Sequence, residues 1–66
     1  MKLIVNGEPR ELPEQASVED ALGTLGFPNT GIAVAVNHQL VPRGSYASTR
    51  LTENDEIEVV APMQGG

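Results

Sequence analysis

Residues 2–6 fit the first strand, with the apolar Leu3 and Val5 on one face and Lys2, Ile4 and Asn6 on the other. The Asn6-Gly7 dipeptide that follows favours a type I′ hairpin turn, because both central residues of that turn need positive φ. The returning arm, residues 8–12, contains Pro9, which has no N–H to donate to a neighbouring strand. These signals predict a β-hairpin whose second strand lies at an edge of the sheet.

A helical period of apolar residues comes next. Ser17 suits the N-cap position, and Asp20 supplies the acid of a capping box. Gly26 suits the left-handed position that follows a last helical turn. We therefore expect an amphipathic helix from Val18 to about Leu25 whose apolar stripe belongs to the core.

The most β-branched segment, residues 32–37, predicts an interior strand. One of its faces carries only Ala33 and Ala35, which leave room for another surface to approach closely. A turn over residues 37–39, a short strand at Leu40 and Val41, and an irregular segment around Tyr46 follow.

The last predicted strand covers residues 56–61, with Ala61 on its core face, and Pro62 ends it. Residues 62–66 have neither an apolar period nor the propensity for a regular element. We expect one domain over residues 1–61 and a flexible C-terminal tail over residues 62–66 that ends in Gly-Gly.

This order of elements predicts an α+β fold in which one helix packs across a mixed sheet. The last strand is too apolar for an edge position. Insertion of this strand parallel to strand 1, between strands 1 and 3, gives the order 2-1-5-3-4, the ubiquitin-like β-grasp. The hydrophobic pattern alone leaves other topologies open.

The expected topology places a group of apolar residues side by side on the sheet face away from the helix, with an acidic border. An exposed apolar patch with a charged rim is typical of transient interfaces. A solvated sheet face is the alternative for these residues. We call the following residues the docking patch: Ile4, Ala33, Ala35, Val60, Glu56 and Glu58.

Composition and charge exclude several classes of function. The 66 residues include 4 basic and 9 acidic side chains, and the basic ones are scattered, so neither nucleic acid nor an anionic membrane is expected as a partner. The absence of Cys excludes disulfides and thiolate zinc sites. His38 has no second His or paired acid nearby in the sequence, so a solvated loop residue is expected and no metal site. The first residues are too short an apolar run for a signal peptide or membrane span, and a cytoplasmic location is expected.

Four segments together suggest a family. They are Ala33-Val34-Ala35-Val36-Asn37, Val41-Pro42-Arg43, residues 51–57 and the final Gly65-Gly66. In this combination the chain resembles the ThiS family, the sulfur carriers of the thiamine pathway, over essentially its whole length. Relatives usually have Trp where this chain has Tyr46.

The resemblance implies a non-catalytic carrier that is monomeric when free. The Gly66 carboxylate would be adenylated by an E1-like enzyme of the ThiF type, which uses ATP and Mg²⁺, while the carrier itself binds no cofactor. A cysteine desulfurase persulfide would supply the sulfur of a terminal thiocarboxylate, and a thiazole synthase of the ThiG type would accept it. Residues Met63, Gln64 and Gly65 would thread into the partner's active site.

Other functions fit the same features. A molybdopterin-synthase sulfur carrier shares the fold and the tail, although those relatives are usually longer. A protein modifier would join its terminus to lysines, and a plain interaction module would make no use of its tail.

Overall fold

The computed structural model describes residues 1–28 and 30–61. Within these ranges the chain forms five strands, one α-helix and one 3₁₀ helix. Their bounds are β1 Lys2–Val5, β2 Glu8–Glu11, α1 Val18–Leu25, β3 Ala33–Val36, β4 Gln39–Val41, the 3₁₀ helix Arg43–Ser48 and β5 Glu56–Val60.

The strands form a single mixed sheet in the order β2-β1-β5-β3-β4. β5 pairs parallel with β1 and antiparallel with β3, and the two hairpin pairs, β1 with β2 and β3 with β4, are antiparallel. The predicted β-grasp arrangement is therefore confirmed.

The two turns at the sheet's hairpins have the backbone geometry of type I′ turns. Asn6 and Gly7 have φ values of 50° and 83°, and Asn37 and His38 have values of 51° and 70°. Asparagine and glycine tolerate this left-handed region better than other residues. Pro9 lies in β2 opposite Ile4, at the edge of the sheet, as predicted.

The helix begins and ends where its capping signals predict. The N–H of Asp20 donates to the Ser17 hydroxyl at 3.1 Å, and the N–H of Ser17 donates to Asp20 Oδ2 at 3.0 Å. The hydrogen bond from the Ser17 backbone is the main reason that the pKa of Asp20 is lowered. Gly26 ends the helix with φ of 84°.

The core lies between the helix and the inner face of the sheet. Leu3 of β1, Val18 of α1 and Val34 of β3 are its most completely buried large side chains. Tyr46 is also buried, and Phe27 packs against the core while partly exposed. Burial of these apolar side chains is the principal stabilising contribution to a domain of this size.

Three local predictions need correction. The segment around Tyr46 is a 3₁₀ helix rather than irregular. Only two residues form the turn before β4, so Gln39 begins that strand opposite Val36. β5 ends at Val60, and Ala61 is exposed instead of lying on the core face. The predicted tail, residues 62–66, lies outside the described residues.

Candidate functional site

The sheet face away from the helix brings the predicted docking patch together. In the strand register, Ile4 lies opposite Glu56, Ala35 opposite Glu58 and Ala33 opposite Val60. Paired residues point to the same face, so all six side chains share one surface. Val60 is 58% exposed, although Ile4 and Ala35 are half-buried. The spatial grouping expected from the sequence is thus present.

Leu40 is an apolar member of this face that the sequence analysis did not include. It lies on β4 opposite Ala35 and is 73% exposed. Leu40 and Val60 are the exposed large hydrophobic side chains of the described ranges. The observed two-residue turn at Asn37-His38 places Leu40 opposite Ala35. The sequence analysis predicted a three-residue turn, which shifts the pairing of the two strands by one residue and therefore does not place Leu40 on this face.

The acidic border of the docking patch includes a histidine. His38 Nε2 lies 3.4 Å from Glu56 Oε1, and His38 Nδ1 lies 3.8 Å from Glu58 Oε1. The prediction that His38 lacks a paired acid was therefore wrong. Glu56 and Glu58 are far from His38 in the sequence. They come close to it because β3, which precedes the turn that contains His38, pairs with β5 in the folded sheet. These contacts are ion pairs when the imidazole is protonated.

A groove of about 280 Å³ lies across the patch. Ile4 and Val60 contribute apolar walls, and Glu56, Glu58 and His38 contribute a polar side. The titratable groups in its lining are two carboxylates and one imidazole, and all three are exposed. In the described residues no cluster of three His, Cys, Asp or Glu side chains could hold a metal ion.

Two asparagines hold β5 at its two ends. Near the end of the strand, Asn6 Oδ1 accepts from the N–H of Val59 at 2.9 Å, and Asn6 Nδ2 donates to the Val59 carbonyl at 3.3 Å. At its start, Asn37 Oδ1 accepts from the N–H of Glu56 and Asn37 Nδ2 donates to Asp55 Oδ1, each at 3.0 Å. Asn37, quoted above as part of the family pattern, thus has a structural role at the start of β5.

Asp55 organises the turn that enters β5. Partial burial works to raise its pKa, but hydrogen bonds from the Thr52 N–H, the Asn37 amide and the Thr52 hydroxyl lower it, and the net pKa is below the ordinary value. The distances to the Thr52 N–H and hydroxyl are 2.8 and 3.0 Å. The ionised carboxylate therefore stabilises this turn.

The tail residues of the predicted site, Met63, Gln64, Gly65 and Gly66, lie outside the described residues. Their attachment point is described, because β5 ends at Val60 and Ala61 follows it. Val60 belongs to the docking patch. The chain therefore leaves the sheet next to this surface.

No described helix is both long and apolar enough to cross a membrane.

Comparisons of this chain with a family model, with related sequences and with solved structures indicate the same family. The model of the ThiS family matches residues 3–66. The sulfur carrier protein ThiS of Thermus thermophilus is 37% identical over 62 residues, which cover 94% of this chain and 95% of that protein. A protein of Paramagnetospirillum magneticum named thiazole synthase is 41% identical over all 66 residues. The chain spans only 20% of the length of that protein, and the same share of a thiazole synthase of Magnetococcus marinus.

A solved structure has the same fold. The crystal structure of the thiamine biosynthesis protein ThiS from Geobacter metallireducens matches with a TM-score of 0.86 and 28% identity, and the match covers both chains completely. The family match extends over nearly the whole sequence and agrees with the β-grasp sheet. The chain therefore belongs to the ThiS family of sulfur carrier proteins.

Proposed function

We propose that this chain carries sulfur to thiazole formation in thiamine biosynthesis as a thiocarboxylate on Gly66. The family match over residues 3–66 is the observation that carries this proposal, because it extends through the Gly-Gly sequence. In this role the protein is a substrate of its partner enzymes rather than an enzyme. It acts in the cytoplasm as a monomer, and ATP and Mg²⁺ are bound by the activating enzyme.

The chemistry explains why activation is needed. An α-carboxyl group with a pKa of about 3.5 is ionised at pH 7, and an ionised carboxylate has no good leaving group. Attack of this carboxylate on the α-phosphorus of ATP releases pyrophosphate and forms an acyl-adenylate. A persulfide sulfur from a cysteine desulfurase then attacks the carbonyl carbon and displaces AMP. Reduction of the resulting acyl disulfide by a thiol leaves the thiocarboxylate.

Glycine at the end of the tail suits this chemistry. Gly65 and Gly66 have no Cβ and can adopt backbone angles that other residues cannot. Together with Gln64 and Met63 they form the segment that we propose enters the active sites of the partners.

We further propose that the docking patch, extended by Leu40, is the surface that both partner enzymes bind. The exposure of Val60 and Leu40 supports this assignment, because both become buried only when another molecule covers the sheet. Glu56 and Glu58 favour a partner whose complementary surface is basic. A ThiF-type activating enzyme and a ThiG-type thiazole synthase that bind the same patch would exclude each other, as a shuttle between two enzymes requires.

The long relatives support thiazole synthase as one of these partners. In the two proteins named thiazole synthase, a segment similar to this whole chain accounts for 20% of the polypeptide. Joining a carrier to the enzyme that consumes its sulfur keeps the two at high effective concentration.

Deletion of Gly66 tests the proposal. We expect the truncated chain to lose ATP–pyrophosphate exchange with the cognate activating enzyme, because the reacting carboxylate is displaced by one residue. Its thermal unfolding should match that of the unaltered chain, because the described core extends no further than Val59.

The possible outcomes separate the alternatives. Full exchange by the truncated chain would refute the carrier function. Conjugates of higher mass in cell extracts would indicate a protein modifier, and sulfur transfer to a molybdopterin precursor but not to thiazole would indicate the other carrier family. Failure of the unaltered chain to support exchange, together with the absence of conjugates and of sulfur transfer, would leave only an interaction module.

A further inference from the structure

The side chain of Asn6 extends the pairing between β1 and β5 beyond the end of β1. The Asn6 N–H donates to the Ile57 carbonyl at 2.9 Å. Its side-chain amide then accepts from the Val59 N–H and donates to the Val59 carbonyl. The Asn6 side chain thus satisfies both the N–H and the carbonyl of Val59, two groups that two residues of β1, two positions apart, would satisfy if β1 continued parallel to β5.

These side-chain hydrogen bonds replace backbone pairing that β1 does not provide, because β1 ends at Val5 while β5 continues to Val60. At Asn6 the backbone adopts φ of 50° and turns into the hairpin, so no backbone of β1 lies alongside Val59. On its other side β5 is paired with β3, through Val59 with Val34 and Val60 with Ala33. Without the Asn6 amide, the end of β5 would be held on one side only.

We propose that Asn6 is a positioning residue that fixes where, and in which direction, the tail leaves the sheet. The inference rests on the proposed carrier function. The described chain continues from β5 only to Ala61, so the order of Val59 and Val60 determines the point and direction from which residues 62–66 start. A starting point that is less well fixed leaves the reacting carboxylate less often in the orientation that the reaction needs, which lowers the rate. Asn6 also lines the groove across the patch, but its side-chain amide is bonded to Val59, so we expect docking to depend on the patch side chains rather than on this amide.

The test compares two asparagines that bond to opposite ends of the same strand. Asn6→Gly removes the amide that holds Val59, while glycine still accepts the positive φ of the turn. Asn37→Gly is the matched control, since Asn37 also has positive φ and also forms two side-chain hydrogen bonds, but to Asp55 and Glu56. The two variants therefore lose similar interactions, and only one loses them near the tail.

We expect Asn6→Gly to lower kcat for adenylation of the carrier by the activating enzyme by about tenfold, with KM changed by less than about twofold. Asn37→Gly should leave both constants within about twofold of those of the unaltered chain. Amide hydrogen exchange provides a readout independent of activity. The N–H groups of Val59 and Val60 should exchange faster in Asn6→Gly and not in Asn37→Gly.

Equal losses of kcat in the two variants, or no loss in Asn6→Gly, would overturn the positioning role while the carrier function stands. A rise in KM alone would overturn it as well, since that result would place Asn6 in docking. Unchanged hydrogen exchange at Val59 in Asn6→Gly would show that the amide does not fix the end of the strand. Absence of adenylation in the unaltered chain would instead refute the carrier function, and the positioning role with it.

Discussion

Truncation of Val60 should weaken binding to both partner enzymes without destabilising the free protein. The side chain is 58% exposed, so the fold gains little from it and a partner that covers it gains more. Complete burial of a Val or Leu side chain contributes about 1.5–3 kcal/mol, so burial of the exposed part of Val60 contributes about 1–1.5 kcal/mol. Because 1.4 kcal/mol corresponds to about a factor of ten in affinity, Val60→Ala should weaken binding by roughly five- to tenfold.

Leu40 gives an independent measurement on the same face. It is 73% exposed and lies on β4, on the other side of β3 from Val60. The same reasoning gives about 1–2 kcal/mol for Leu40→Ala. The aspartate variants Val60→Asp and Leu40→Asp should be weaker still, because a carboxylate is costly to bury in an apolar contact.

Isothermal titration of each variant against the activating enzyme and against thiazole synthase is the assay. Ala47→Asp on the 3₁₀ helix is the control, since it adds the same charge at an exposed position outside the docking patch. Thermal unfolding should change little in all these variants, as expected for exposed sites. Unchanged affinity of folded Val60→Asp and Leu40→Asp for both enzymes would refute the docking patch, and a loss for one enzyme alone would refute the shared surface.

Two predictions concern stability. Because the pKa of Asp55 is lower in the folded state, its ionised form stabilises the fold above its unfolded pKa of about 3.9 and ceases to do so as the pH falls through the folded value. The difference in unfolding free energy between the unaltered chain and Asp55→Ala, measured with denaturant, should be about 2 kcal/mol at pH 7 and should shrink below pH 4; a difference independent of pH would contradict the assignment. Ser17→Ala removes the helix cap and should cost about 1 kcal/mol, or about 4–8 °C in Tm. Ser17→Thr keeps the hydroxyl, and an equal fall in Tm for both variants would show that the cap hydrogen bond is not responsible.

The parts of the fold that follow local signals were predictable from the sequence. Asn6-Gly7 specified its turn through backbone angles, and Ser17 with Asp20 specified the helix start through hydrogen bonds over three residues. The central position of β5 followed from its apolar composition. These features require no knowledge of distant parts of the chain.

The docking patch was largely predictable, because alternation along β1, β3 and β5 fixes which residues share a face once the strand order is known. Leu40 was missed because a difference of one residue in turn length changes which residues of a hairpin are opposite each other. The contacts of His38 with Glu56 and Glu58 were missed for another reason. They join residues that are far apart in sequence, and their approach depends on the twist and register of strands that local patterns do not specify.

The contact between Asn6 and Val59 also could not be predicted from the sequence pattern. The Asn-Gly signal explains why asparagine suits the turn, and it gives no indication that the same side chain bonds to the last part of β5. That second role becomes visible only when the parallel pairing of β1 and β5 is known.

The central claim is that Gly66 carries sulfur, and the mass of the protein isolated from its own cells tests it most directly. We predict a population that is heavier than the unmodified chain by the difference between one sulfur and one oxygen atom. This population should react at its C-terminus with a reagent specific for thiocarboxylates, which distinguishes it from oxidation of Met63. It should disappear when the activating enzyme is deleted. A terminus that remains an ordinary carboxylate in cells that are making thiamine would contradict the account.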